Sequence, residues 1–190
     1  MDCIVAGDIG CYTLGVLPPF SAMDTCVCMG ASITVGLGLR HVLPDAEAKR
    51  VVSVIGDSTF VHSGITGLAE MIYNPPKTGH VVILLDNGTT AMTGHQEHAG
   101  TGRNLEHKKT GRVDYEALAK SLGISNVHLL ELGKDSAEFE QLVKQSLESG
   151  ELVFIIARRL CILAAADIRA YEKAAAEQCA GACANAQENS

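Results

Sequence analysis

The sequence predicts an α/β fold, a doubly wound and mostly parallel sheet with helices on both faces. Three observations carry that expectation. The runs Arg50-Val51-Val52-Ser53-Val54-Ile55 and His80-Val81-Val82-Ile83-Leu84-Leu85 are β-branched and almost wholly apolar, as strands covered on both faces should be. Helical stretches alternate with strand-like runs along the chain, the pattern of parallel strands joined by right-handed crossovers. A length of 190 residues suits one domain with a sizeable core.

In chain order, residues 1–6 read as a short buried strand running into the turn Gly7-Asp8-Ile9-Gly10-Cys11, and Pro18 and Pro19 mark a loop. Asp24 to Met29 reads as a second extended run. Gly30 opens a helix of small and apolar residues to about Val42, and Pro44 to Glu47 is a turn. The strand Arg50–Ile55 follows, then a helical stretch from about Ser63 to Tyr73 that Asn74-Pro75-Pro76 ends. After the strand His80–Leu85 comes a long segment without clear periodicity, Gly88 to Arg112; such segments in compact domains are usually functional or disordered. Asp114 caps a helix, Val127–Leu132 is a strand, Ser136–Glu148 a helix and Leu152–Ala157 a last strand. Residues 1–163 thus form one α/β unit. Residues 164–190 are an Ala-rich tail, helical at first and disordered from Ala184.

The bulk numbers exclude several classes. A net charge of −7 argues against a general nucleic-acid or anionic-membrane binder, and the 4% of aromatic residues leaves little for a base-stacking surface. No apolar stretch approaches the roughly 20 residues of a membrane span, and the amino terminus lacks a signal-peptide pattern, so the expected location is cytoplasmic. Seven cysteines, an odd number, with Cys26 and Cys28 two positions apart, favour reduced thiols over a disulfide framework.

Chemistry concentrates where two adjacent strands end. Gly56-Asp57-Ser58 follows one buried strand and Asp86-Asn87-Gly88 the next. The carboxyl ends of strands are where open α/β sheets bind ligands. A carboxylate and a carboxamide there suit a small hard cation that also holds a phosphate, since Mg²⁺ is usually bound by one or two protein oxygens plus phosphate oxygens. The competing reading makes Asp57 a helix cap and Asn87-Gly88 an ordinary turn.

These residues resemble a known family. Gly-Asp-Ser followed after a helix and a strand by Asp-Asn is similar to the thiamine diphosphate motif, usually Gly-Asp-Gly and then Asn-Asn. Two further segments, Gly7-Asp8-Ile9-Gly10-Cys11-Tyr12-Thr13-Leu14-Gly15 and Thr89-Thr90-Ala91-Met92-Thr93-Gly94-His95-Gln96, resemble the C-terminal cofactor domain of the indolepyruvate:ferredoxin oxidoreductase alpha subunit, in the 2-oxoacid:ferredoxin oxidoreductase superfamily. The resemblance covers about residues 3 to 161. It implies thiamine diphosphate and Mg²⁺ as cofactors, with Asp57, the Asn87 side chain and the Thr89 carbonyl on the metal. It places Gly10, Cys11, Met29, Gly30, Gly56, Ser58, Thr90 and Ala91 against the cofactor, Met29 propping its bent form, with Ser58 where the family usually has Gly. Cys11 has a structural alternative, a buried thiol.

His95, in a segment resembling the family's Thr-Gly-Gly-Gln, is the candidate to touch substrate. His98 and His107 read as solvated loop residues, and His62, just past the diphosphate turn, as a minor candidate. Cys161 reads as packing. Cys179 and Cys183 lack the spacing of a ferredoxin run, which implies that iron–sulfur clusters belong to partner domains or subunits.

The resemblance further implies a division of labour. The activating glutamate comes from a separate pyrimidine-binding domain or subunit, so this chain is expected to be inactive alone and to work in a hetero- or homo-oligomer. Ferredoxin and coenzyme A serve the full enzyme, which decarboxylates an aryl pyruvate oxidatively. Two alternatives stand beside this one: a non-catalytic thiamine diphosphate-binding module, and a flavodoxin-like nucleotide binder. The latter is disfavoured by the lack of a Gly-x-Gly-x-x-Gly turn.

Overall fold

The computed structural model describes residues 2–133 and 136–188. Five strands, β1 (Ile4–Ala6), β2 (Val51–Gly56), β3 (His80–Asp86), β4 (Asn126–Glu131) and β5 (Leu152–Arg158), form one sheet in the order β1-β2-β3-β5-β4. Every pairing is parallel. The helices are α1 (Ser32–Val42), α2 (Asp45–Ala48), α3 (Asp57–Thr59), α4 (Ile65–Tyr73), α5 (Tyr115–Leu122), α6 (Ser136–Ser149) and α7 (Ala165–Glu188), with a 3-10 turn at Cys11–Val16 and a π-helical turn at Phe60–Gly64.

Strand periodicity sorts the core into two layers. Ile55, Val82, Leu84, Phe154 and Ile156 face α1, α4 and α5 through Ile33, Leu37, Leu68, Met71 and Ala119. Their neighbours Val52, Val81, Ile83, Val153 and Ile155 face α6 through Phe139, Leu142, Val143 and Leu147. The steps from β1 through β4 run in one direction with α1, α4 and α5 on one face; the step back from β4 to β5 puts α6 on the other. That is what a constant crossover hand requires. The expected doubly wound class is the one found.

Phe60 lies at the centre of the larger layer, fully buried, its ring centroid 5.5 Å from that of Phe154 and 5.7 Å from that of Tyr115. It follows α3 directly, so burying it fixes the turn that carries Asp57. The helix expected from Ser63 in fact begins at Asp57 and passes through the π turn, a distortion common near functional sites.

Other expectations need correction. Asp24–Met29 is not a strand: it meets β1 through a single bridge, Ala6 to Thr25. The Asp24 carboxylate accepts from Val5 N at 2.7 Å, taking a donor that a ladder would need. Pro44 to Glu47 leads into the short α2 rather than a bare turn. The tail forms α7, to Glu188, as its Ala, Gln and Glu content permits. Residues 189 and 190, and the side chains of Cys179 and Cys183, lie outside the described residues. Asp114 does cap α5, accepting from Ala117 N at 3.0 Å. Among the described residues, no helix is long and apolar enough to cross a membrane.

Candidate functional site

The carboxyl ends of β1, β2 and β3 lie side by side, and the turns leaving them meet. Asp57, 2% exposed, does not cap its own helix. One carboxylate oxygen accepts from Ser58 N at 2.8 Å, and the other reaches the next strand's turn to accept from Gly88 N, also at 2.8 Å. The Ser58 and Thr90 hydroxyls share a 2.6 Å hydrogen bond. Asn87 Oδ1 accepts from Thr89 N at 3.1 Å, folding its carboxamide over the turn. The two polar clusters are therefore one constellation.

They border a cavity of about 140 Å³ that Gly10, Cys11, Met29, Gly56, Asp57, Ser58, Asn87, Thr89, Thr90 and Ala91 line. Of the residues singled out for cofactor contact, Gly30 alone lies off its wall. Cys11 is exposed there rather than buried. His95 does not line the cavity; it occupies the adjacent 93–96 turn with φ +62°. His62 is exposed beside Ser63, its Nδ1 2.9 Å from the Ser63 hydroxyl. Cys161 is half-buried, its N–H on the Asn87 carbonyl at 3.0 Å.

Two residues organise this site through partners distant in the chain. Asp8, fully buried, accepts from Ile9 N and Gly30 N at 2.8 Å and from Ser32 N at 2.9 Å. It binds the first turn to the start of α1, whose own flanking residue offers no side-chain cap. Gly30 has φ +84°, so its left-handed backbone turns Met29 toward the cavity without a side-chain penalty. Ser63 Oγ then donates to the Met29 carbonyl at 2.9 Å. Tyr12 Oη accepts from Gly56 N at 2.9 Å and donates to the Ile9 carbonyl at 3.2 Å. A Cβ on Gly56 would stand 2.9 Å from the Tyr12 ring, which is why this strand end has none. Burial pushes the Tyr12 phenol up, so it stays protonated.

Behind Asp57 lies a second carboxylate, Asp86, held by Arg158 Nε at 2.8 Å. Burial, assisted by the like charge of Asp57, pushes the Asp86 carboxyl above its usual range against the pull of Arg158. The long segment packs over this pair instead of projecting into solvent. Gln96 closes it, its carbonyl accepting from Thr90 N at 2.9 Å and from Thr89 Oγ1 at 3.2 Å. Arg103 donates to Glu97 at 2.7 Å and to the Gly88 carbonyl at 3.0 Å.

The expectation that His98 and His107 are solvated is overturned. The His98 side chain is 9% exposed, with Nε2 3.3 Å from Asp57 Oδ2. His107 is half-exposed but held, its Nδ1 2.9 Å from Glu97 and its ring stacked on Tyr171 at 4.1 Å. Both sit where a glycine-rich segment folds back on the sheet, which no periodicity announces.

The donor set fits a hard divalent cation with a phosphate ligand. Asp57, the Asn87 carboxamide and the Thr89 carbonyl would supply the oxygens, with a second buried carboxylate, Asp86, nearby and held by Arg158. Among the described residues no three His, Cys, Asp or Glu side chains gather into a metal cage. A cation here would complete its shell with ligand oxygens and water, the usual habit of Mg²⁺.

Residues 8–157 match the family described as thiamine pyrophosphate enzyme, C-terminal TPP binding domain. The chain is similar to the indolepyruvate oxidoreductase subunit IorA of Thermococcus kodakarensis, 39% identical over 170 residues, 84% of this chain and 26% of that protein. The IorA subunit of Archaeoglobus fulgidus is 36% identical over 162 residues, 85% of this chain and 25% of that protein. That of Methanothermobacter thermautotrophicus is 35% identical over 168 residues, 88% and 26%. The chain thus spans about a quarter of the length of these relatives.

Proposed function

The chain belongs to the family of thiamine pyrophosphate enzyme C-terminal TPP-binding domains, and from that premise we propose that it holds the diphosphate and Mg²⁺ of thiamine diphosphate in a 2-oxoacid:ferredoxin oxidoreductase. The substrate class is an indolepyruvate-like 2-oxo acid, oxidatively decarboxylated to its acyl-CoA. The observation that supports this reading best is the pair of cross-turn bonds, Asp57 to Gly88 and Ser58 to Thr90, which join both halves of the motif at one cavity.

Asp57, the Asn87 side chain and the Thr89 carbonyl would hold the cation, with the Ser58 and Thr90 hydroxyls beside the diphosphate. Gly10 and Cys11 would form the opposite wall, and Met29, 40% exposed at the cavity, would support the bent cofactor. When bound, thiamine diphosphate supplies a nucleophilic carbon and a sink for the electrons released on decarboxylation. This chain's residues anchor and orient it; the glutamate that activates it would come from a pyrimidine-binding partner. Iron–sulfur clusters, ferredoxin and coenzyme A would engage elsewhere in the assembled enzyme. His95, on the turn next to the cavity, is proposed to act on the substrate side. Among the described residues Cys3, Cys11, Cys26, Cys28 and Cys161 are free thiols.

Exposed apolar side chains, Leu14, Leu17, Phe20, Val27 and Met92, occur in the segments that border the cavity, which suits a partner domain closing over it. Calorimetric titration with thiamine diphosphate, with and without Mg²⁺, tests the reading. Metal-dependent binding that disappears in Asp57→Ala is expected; undiminished binding by both Asp57→Ala and Asn87→Ala would sink the metal assignment. Turnover of indolepyruvate that appears only with a pyrimidine-domain partner distinguishes an enzyme part from a binding module.

A further inference from the structure

His98 stands apart from the other histidines because its ring is buried, oriented and unfinished. Nδ1 accepts from Gly100 N at 3.2 Å, so in the neutral imidazole the proton is on Nε2. That N–H lies 3.3 Å from Asp57 Oδ2 but out of line for a hydrogen bond, and it has no other partner among the described residues. A buried donor left unmade costs about 1–3 kcal/mol, which a small movement of the carboxylate would recover. Each Asp57 oxygen already accepts one backbone N–H, from Ser58 and from Gly88, and each has a lone pair to spare. Tyr115 and Gly100 back the ring: a Cβ on Gly100 would stand 3.1 Å from His98 Cε1 and would overlap the Tyr115 hydroxyl.

We infer that His98 is a positioning residue for the cation clamp, its Nε2–H steering the Asp57 carboxylate and closing into a full hydrogen bond when the site is loaded. This rests on the reading of Asp57 as a cation ligand. Carboxylates that bind metals are themselves held by hydrogen bonds, and losing such a support typically weakens metal affinity by about 10–100-fold. Arg158 supports Asp86 rather than Asp57, and the backbone donors of Ser58 and Gly88 fix only where the carboxylate sits. His98 thus places a side-chain donor beside Asp57.

The test varies Mg²⁺ at a fixed concentration of thiamine diphosphate and reads binding by calorimetry, with thermal melting of the unliganded chain in parallel. His98→Leu should raise the Mg²⁺ needed for half-saturation by roughly tenfold or more. His98→Gln, whose amide N–H reaches about as far as Nε2, should restore most of that loss. His98→Asn, one bond shorter, should not. If His98 only fills space, the three variants shift the melting temperature while the Mg²⁺ dependence stays at the wild-type value, and the assignment is overturned. Wild-type binding that ignores Mg²⁺, or is absent, removes the clamp reading and this inference with it. Mg²⁺-dependent wild-type binding with an unaffected His98→Leu removes the His98 role alone.

Discussion

Asp8 shows what one buried carboxylate contributes when its partners are backbone amides. Three N–H groups, from Ile9, Gly30 and Ser32, converge on its two oxygens. Asp8→Asn keeps the shape but turns an NH₂ toward at least one of those donors, so a buried N–H loses its acceptor. A loss of about 2 kcal/mol in unfolding free energy is expected, read as a lower urea midpoint; an unchanged midpoint would contradict the account. Tyr12→Phe is a milder version. It strands only Gly56 N, for which about 1 kcal/mol is expected in the same titration. The contrast explains what the sequence disclosed at this scale. Asp57, Ser58, Asn87 and Thr89 stand in short local motifs, and ten of the eleven residues assigned to the cofactor line one cavity. Asp8 and Tyr12 stand in a quoted motif, but they and His98 act through partners far along the chain, and nothing local announces those contacts.

At the level of elements, helix α4 reaches α1 only because Gly67 has no side chain. A Cβ there would stand 2.8 Å from Ile33 Cβ and 3.0 Å from Ile33 Cγ2, both fixed in the core. Helix propensity alone favours Gly67→Ala by up to about 1 kcal/mol. Overpacking opposes it at about 1–3 kcal/mol, so net destabilisation is expected, seen as a lower melting temperature. Stabilisation by Gly67→Ala would mean that Ile33 yields to a Cβ at the α1–α4 contact. Strands β2, β3 and β5 were legible for a related reason: covered on both faces, they must be apolar throughout, and that signal is unambiguous. Asp24–Met29 had strand-like residues but no free ladder, because Asp24 satisfies Val5 N itself. The early helix start at Asp57 was obscured because Gly56-Asp57-Ser58 reads equally as a turn.

Across the whole molecule, each end of the sheet buries charged side chains of its own. Carboxylates gather at the carboxyl ends of the strands; at the other end Arg40 is buried with carbonyl partners, donating to Val51 and Gly79 at 2.7 Å and to Thr78 at 2.7 Å. Burial lowers the Arg40 pKa to about 10, so it remains charged at neutral pH. Beside it His80, fully buried, lies with Nε2 2.9 Å from Ser53 Oγ, which itself donates to the Ser32 carbonyl at 2.8 Å. His80 must then donate, as a neutral ring. Burial, and next the Arg40 charge, hold its pKa well below the ordinary 6.5. The sign follows directly. Unfolded, His80 takes a proton as the pH falls through 6.5; folded, it does so only much lower. Between those values the unfolded chain binds more protons, so acid favours unfolding, and stability is complete only above pH 6.5. One such group can remove up to about 1.4 kcal/mol per pH unit in that window. The raised carboxyl of Asp86 acts in the opposite sense, so the test is a difference. His80→Gln keeps an N–H for Ser53 and cannot titrate. Urea midpoints measured from pH 7.5 down to 5 should fall more steeply for the wild type than for His80→Gln, and equal slopes would show that His80 accepts its proton in place.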